Sequence, residues 1–172
     1  MKRRKISPET RNKIRLFAVY IAAIVFCIFW LAAEVDITRR VKQDRLTSCE
    51  LLAAAERHVS DFASGLDPDG AEKAGERLLE FYSLAKRNSE AKSVLILLRR
   101  GYPRLSANEL GDIGGVAAAM LQSPEPCEKY ADDLIKAFRL ISEDIQAKAK
   151  RVSPEAAEVF KKIRDEMSKA AY

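Results

Sequence analysis

Apolar positions recur at helical spacing along almost the whole chain. From Leu52 they fall at Leu52, Ala55, Val59, Phe62 and Leu66, alternately three and four residues apart, which lines one face of an α-helix; the stripe reaches back to Cys49. Asp67-Pro68-Asp69-Gly70 has the chemistry of a turn and is expected to end that helix. A second stripe runs Ala71, Ala74, Leu78, Phe81 or Tyr82, and Ala85. Asn88-Ser89 then offers a break before the apolar run Val94–Leu98. Arg99-Arg100-Gly101-Tyr102-Pro103 reads as a helix stop, because cations suit a carboxyl-terminal dipole, glycine suits the position beyond it, and proline cannot continue.

Ser106-Ala107-Asn108-Glu109 is a capping box, flanked by Leu105 and Leu110 at the spacing of a hydrophobic staple. It predicts a third helix whose body, Gly111 to Ala119, is rich in small residues. Three glycines there weaken an isolated helix by roughly 1 kcal/mol each, so close packing against a neighbour is expected to compensate. A phosphate-binding glycine loop does not fit, since no strand precedes it and the Walker pattern is absent.

The tripeptide Ser-Pro-Glu occurs at Ser7, Ser123 and Ser153. Serine offers an N-cap oxygen, proline suits the first helical turn, and glutamate complements the positive dipole end. After Ser123 the stripe is Cys127, Ala131, Leu134, Phe138, Ile141 and Ile145. After Ser153 it is Ala156, Phe160, Ile163, Met167 and Ala170. Each copy therefore reads as helix punctuation rather than as a modification tag.

One segment breaks the amphipathic rule. Leu16 to Ala33 holds no charged residue, and as a helix its 18 residues rise roughly 27 Å, close to the thickness of a bilayer's hydrocarbon core. Tyr20 and Trp30 lie toward its two ends, as interfacial aromatics do. A cleaved signal peptide fits less well, because the apolar core is long for one and no Ala-x-Ala closes it. With no breaker between Leu16 and Leu66, the anchor is expected to continue outward as one long helix.

Charge sharpens this picture. The net charge is +5, but residues 1–33 carry seven basic side chains against Glu9, a net of +6, while the remaining 139 hold 23 basic and 24 acidic ones, a net of −1. Nucleic acid is therefore not an expected partner. The positive-inside bias predicts a cytoplasmic tail over 1–15, a single span over 16–33 and an extracytoplasmic domain over 34–172. The fold class expected is all-α: an N-terminal single-pass transmembrane helix continuing into a bundle of about five helices.

Candidate chemistry is sparse. Cys49 and Cys127 both fall on core-facing stripes. Outside the cytoplasm they are a candidate disulfide worth roughly 4 kcal/mol in the chain-entropy model; the other reading is two separately buried small hydrophobes. Arg99, Arg100, Tyr102 and Arg104 form a basic-aromatic cluster, read as a membrane-surface or partner contact or, more simply, as a helix stop with solvated cations. His58 reads as an ordinary solvated side chain, and the adjacent pairs Asp132-Asp133 and Glu143-Asp144 diverge around a helix rather than converging as an acid/base couple. No metal-ligand spacing, cofactor motif or nucleophile with its base is apparent, so no enzyme and no cofactor are expected.

Three classes of function remain. The first is a membrane-anchored scaffold or assembly protein that engages another membrane or envelope protein, with a second copy of the chain as a further candidate partner. The second is an extracytoplasmic sensory or ligand-binding bundle; with only about 15 residues ahead of the anchor, it must signal through a partner. The third is an enzyme, for which no catalytic set is visible. An anchor followed by a long outer helix and a bundle, over roughly residues 14–148, is similar in outline to the N-terminal region of the YpeB family of spore-germination proteins. That resemblance is one of architecture and transfers no residues; it implies an envelope or sporulation-germination setting.

Overall fold

A computed structural model of the chain describes residues 8–90 and 102–170. These residues form five α-helices and no strand: α1 (Pro8–Ala63), α2 (Gly70–Glu90), α3 (Ala107–Gln122), α4 (Glu125–Gln146) and α5 (Pro154–Ala170). The run Val94–Leu98 and the stop signal at Arg99-Arg100-Gly101 lie outside the described residues. Two units divide between Arg40 and Val41.

In the first unit, α1 carries the apolar stretch. An 18-residue window there has a mean hydropathy of 2.6 and no buried side chain, so by length and composition it can cross a membrane. Phe17, Phe26 and Phe29 are all more than half exposed.

In the second unit the predicted stripes supply most of the core, with Cys49, Phe62, Ala131 and Met167 only partly buried against it. Leu52, Ala55 and Val59 of α1 are buried, as are Ala71, Ala74, Leu78, Phe81 and Ala85 of α2; Phe81 rather than Tyr82 is the fully buried aromatic of its turn. From α4 come Cys127, Leu134, Phe138, Ile141 and Ile145, and from α5 Ala156, Phe160 and Ile163. The Phe138 and Phe160 rings meet at 6.1 Å between centroids in a tilted pair across α4 and α5. α3 packs on α2 and α5, and α4 on α5.

Small residues let α3 approach so closely. A Cβ added at Gly114 would stand 3.1 Å from the Tyr82 ring, and one at Gly75 of α2 would stand 3.0 Å from Met120 Cβ and 3.2 Å from the Ala117 carbonyl. Asp112, also on α3, is buried and ion-paired to Arg164 of α5, although its Oδ1 makes no well-directed hydrogen bond.

Two helix limits differ from the sequence expectation. α1 stops at Ala63 rather than at the Asp67–Gly70 turn, because Gly65 takes a left-handed φ of 71° and closes a Schellman motif: Leu66 N–H donates to the Asp61 carbonyl and Gly65 N–H to that of Phe62, both at 2.9 Å. Leu66 is consequently 77% exposed and not part of the core face. The Asp67 turn instead introduces α2, with its carboxylate accepting from Lys73 Nζ at 2.7 Å and from Asp69 N–H at 3.2 Å. Nor does α2 break at Asn88-Ser89; the Asn88 side chain donates to the Leu84 carbonyl along its own helix and the helix runs on to Glu90.

The capping box stands, the Ser-Pro-Glu copies at Ser123 and Ser153 stand at the starts of α4 and α5 without acting as regular serine N-caps, and Ser7 lies outside the described residues. Ser106 and Glu109 form the reciprocal capping box, with Leu105 and Leu110 both buried beside it. Ser123 both ends α3, donating its N–H to Ala119, and accepts from Glu125 N–H at 3.2 Å to open α4. α5 begins at Pro154, and Ser153 N–H is held by the Asp144 carboxylate at 2.6 Å.

Candidate functional site

Polar chemistry in the second unit gathers on one short segment of α1. Positions 44, 45, 48 and 49 share one side of a helix, since residues four apart lie one above the other. Asp44 accepts from Arg87 Nη2 at 2.9 Å and from Asn88 Nδ2 at 3.0 Å, tying α1 to α2. Arg45 donates from Nε to the Ile145 carbonyl and from Nη2 to the Gln146 carbonyl, each at 3.0 Å, and so caps the last turn of α4. Ser48, completely buried, shares a hydrogen bond of 2.8 Å with the Tyr102 hydroxyl. The Cys49 thiol faces the Ser142 carbonyl at 3.8 Å. A little farther along, Glu56 pairs with Arg139 of α4 at 2.6 Å.

Tyr102 is therefore not a surface residue. Only 8% of it is exposed, and burial pushes its phenol well above the ordinary tyrosine range, partly offset by the Ser48 hydrogen bond. The expectation that it contacts a membrane or partner is corrected: the residue is buried, with its hydroxyl engaged by Ser48 of α1. Arg104 does remain exposed, and its N–H donates to the Lys150 carbonyl at 3.1 Å in an isolated parallel bridge that sets Arg104 beside Arg151. Arg99 and Arg100 lie outside the described residues.

The two cysteines do not come together. Both are free thiols; Cys49 is partly buried beside Ser142, and Cys127 is buried in the first turn of α4. Ser142 and Cys127 lie four turns apart on α4, on the order of 22 Å of helix rise, far beyond disulfide reach. Burial pushes the Cys127 thiol up to about 12, which fits an inert core residue.

Among the described residues, no group of three or more His, Cys, Asp or Glu side chains could hold a metal ion. His58 is half-buried on α1. A cleft of about 400 Å³ opens between α2 and α3, lined by Tyr82, Lys86, Ser89, Leu105, Leu110 and Gly111 among others, with the Lys86 ammonium 6.0 Å from the Tyr82 ring centre.

The residues that sequence reasoning passed over are Asp44, Arg45 and the basic loop Lys148, Lys150 and Arg151. The loop's charge is visible between two stripes; its position beside Arg104 is not. No family model, curated protein or solved structure matches this chain.

Proposed function

We propose that the protein is a membrane-anchored, non-catalytic helical scaffold, with residues 16–33 spanning the bilayer, the basic tail in the cytoplasm and the helical domain outside it, where it engages another envelope protein. The observation that carries this reading is the exposed apolar stretch of α1, joined to a bundle whose core is already filled by its own stripes. The polar side chains around α1 support it too. Asp44, Arg45 and Glu56 tie α1 to α2 and α4, and Ser48 ties it to Tyr102 in the segment before α3, the arrangement of a rigid platform.

Alkaline carbonate extraction combined with cysteine mapping tests this reading. In a Cys27→Ala/Cys49→Ala background, a cysteine placed at exposed Ser168 should react with an impermeant maleimide on intact spheroplasts, and one at Arg11 only after lysis. Release of the chain by carbonate, or the reverse labelling pattern, refutes it.

The cleft between α2 and α3 favours a second reading, a ligand-binding bundle that signals through a partner. Its volume falls in the range of small-molecule sites, and it combines Leu105 and Leu110 with polar groups. A ligand present at about 100 times its Kd should stabilise the fold by about 2.7 kcal/mol. The same compound should fail to stabilise Gly111→Leu, whose side chain fills the cleft.

A further inference from the structure

The α4–α5 loop departs from helix-stop chemistry in one respect. Lys148 occupies the left-handed region at φ 56°, where glycine is the usual residue, and it completes a Schellman motif with Ala149 N–H donating to the Asp144 carbonyl at 2.8 Å. A lysine thus stands where the backbone favours the loss of its side chain. Two residues on, Lys150 accepts the Arg104 N–H, and Arg151 bridges to Arg104. Lys148, Lys150, Arg151 and Arg104 are all exposed, and none forms a salt bridge with a described residue. No acidic residue occurs in Ile145–Ser153 or in Tyr102–Asn108. The nearest carboxylates along the chain are already engaged: Asp144 by Ser153 N–H, Glu155 by Lys136 and Glu109 by Ser106 N–H, while Glu143 is exposed.

The position of this patch on the chain matters as much as its charge. Arg45 grips the Ile145 and Gln146 carbonyls directly before the loop. It follows Ala33, the end of the apolar stretch, by only about a dozen residues along α1. We propose that Arg104, Lys148, Lys150 and Arg151 form a docking face for the anionic phosphate headgroups of the membrane in which the protein is anchored. This rests on the anchor reading above. The chemistry is that of a polybasic patch, in which each cation near an anionic surface raises local binding roughly fivefold, an attraction that salt screens.

The full chain in nanodiscs provides the test. In discs containing phosphatidylglycerol, amide exchange across residues 146–152 should be about fivefold slower than in purely zwitterionic discs, and the difference should vanish at high salt. The variant Arg104→Gln/Lys148→Gln/Lys150→Gln/Arg151→Gln should lose the difference, whereas Lys148→Arg/Lys150→Arg/Arg151→Lys should keep it, which separates charge from folding. Equal exchange in the two lipids, or protection that survives the fourfold Gln change, overturns the docking face. Protection in zwitterionic discs on adding inorganic phosphate alone assigns the patch to a free anion and overturns it as well. Release of the chain from membranes by carbonate overturns the anchor reading and this inference together; a chain that stays embedded without lipid-dependent protection overturns this inference alone.

Discussion

Arg45 of α1 and Ile145 of α4 are joined by a 3.0 Å hydrogen bond from guanidinium Nε to a carbonyl at the end of α4, with a second bond of the same length to Gln146. The last carbonyls of a helix have no partner within it and carry the negative end of its dipole. α4 has no basic residue of its own in its last turn, so the cation arrives from another helix. Hydrogen bonds from a charged donor contribute about 1.5–3 kcal/mol when buried, and the partial exposure here argues for the lower part of that range. Arg45→Gln should therefore lower the urea midpoint by an amount equivalent to about 1–2 kcal/mol with an unchanged m-value. Arg45→Lys should recover only part of it, because an ammonium cannot span two carbonyls as the planar fork does.

The glycines of α2 and α3 make opposite predictions. A Cβ at Gly111 meets nothing within 4 Å, so Gly111→Ala should stabilise the fold by about 0.5–1 kcal/mol through helix propensity alone. At Gly75 the new methyl presses on the Ala117 carbonyl, and backbone cannot step aside as a flexible side chain can. Gly75→Ala should destabilise by about 1–3 kcal/mol despite the same propensity gain. Thermal unfolding of the two variants in parallel checks the contrast; equal shifts would show that α2 and α3 do not approach as described.

How much of this was legible in the sequence follows from the range of each interaction. The stripes of α2, α4 and α5 and the capping box at Ser106 are local, with periods and spacings of three to four residues, and they are found where expected. The end of α1 is local too, but Ser64-Gly65 is a quieter signal than the Asp67-Pro68-Asp69-Gly70 turn behind it. Tyr102 and Arg45 are different in kind. The partner of Tyr102 lies 54 residues away and that of Arg45 lies 100 residues away, so a ring in a basic stretch and a cation on a helix both read as solvent-facing until the fold brings their partners in. Cys49 and Cys127 share a core-facing phase, but phase says nothing of height along a bundle, and height is what separates them.

The Ser48–Tyr102 bond predicts a pH dependence. Tyr102 has its phenol raised in the folded state, chiefly by burial, so the folded protein holds that proton more tightly than the unfolded chain. Below the unfolded tyrosine range, near pH 10, this makes no difference to stability; above it, stability falls as pH rises, because the unfolded chain releases the proton first. Tyr102→Phe should flatten the loss of Tm above about pH 10. At neutral pH it should cost about 1–2 kcal/mol by leaving the Ser48 hydroxyl unpaired. The double variant Ser48→Ala/Tyr102→Phe should cost less than the sum of the two single changes, since it removes both halves of one buried pair.

The cysteines predict a labelling pattern. Both Cys49 and Cys127 should react with a maleimide in denatured, non-reduced Cys27→Ala protein, to the same extent with and without prior reduction. In the native protein Cys127 should stay unreactive, because its thiol is buried and its thiolate disfavoured. A thiol that appears only after reduction contradicts the separation of the two residues along α4.

Lys148 offers the sharpest separation of backbone from charge. Its left-handed φ costs any residue with a Cβ about 1 kcal/mol, which glycine avoids. Lys148→Ala removes the charge and keeps the Cβ; Lys148→Gly removes both. If the conformation is the only issue at this position, Lys148→Gly should be more stable than Lys148→Ala by about 0.5–1 kcal/mol in chemical unfolding, while the two lose lipid-dependent protection equally.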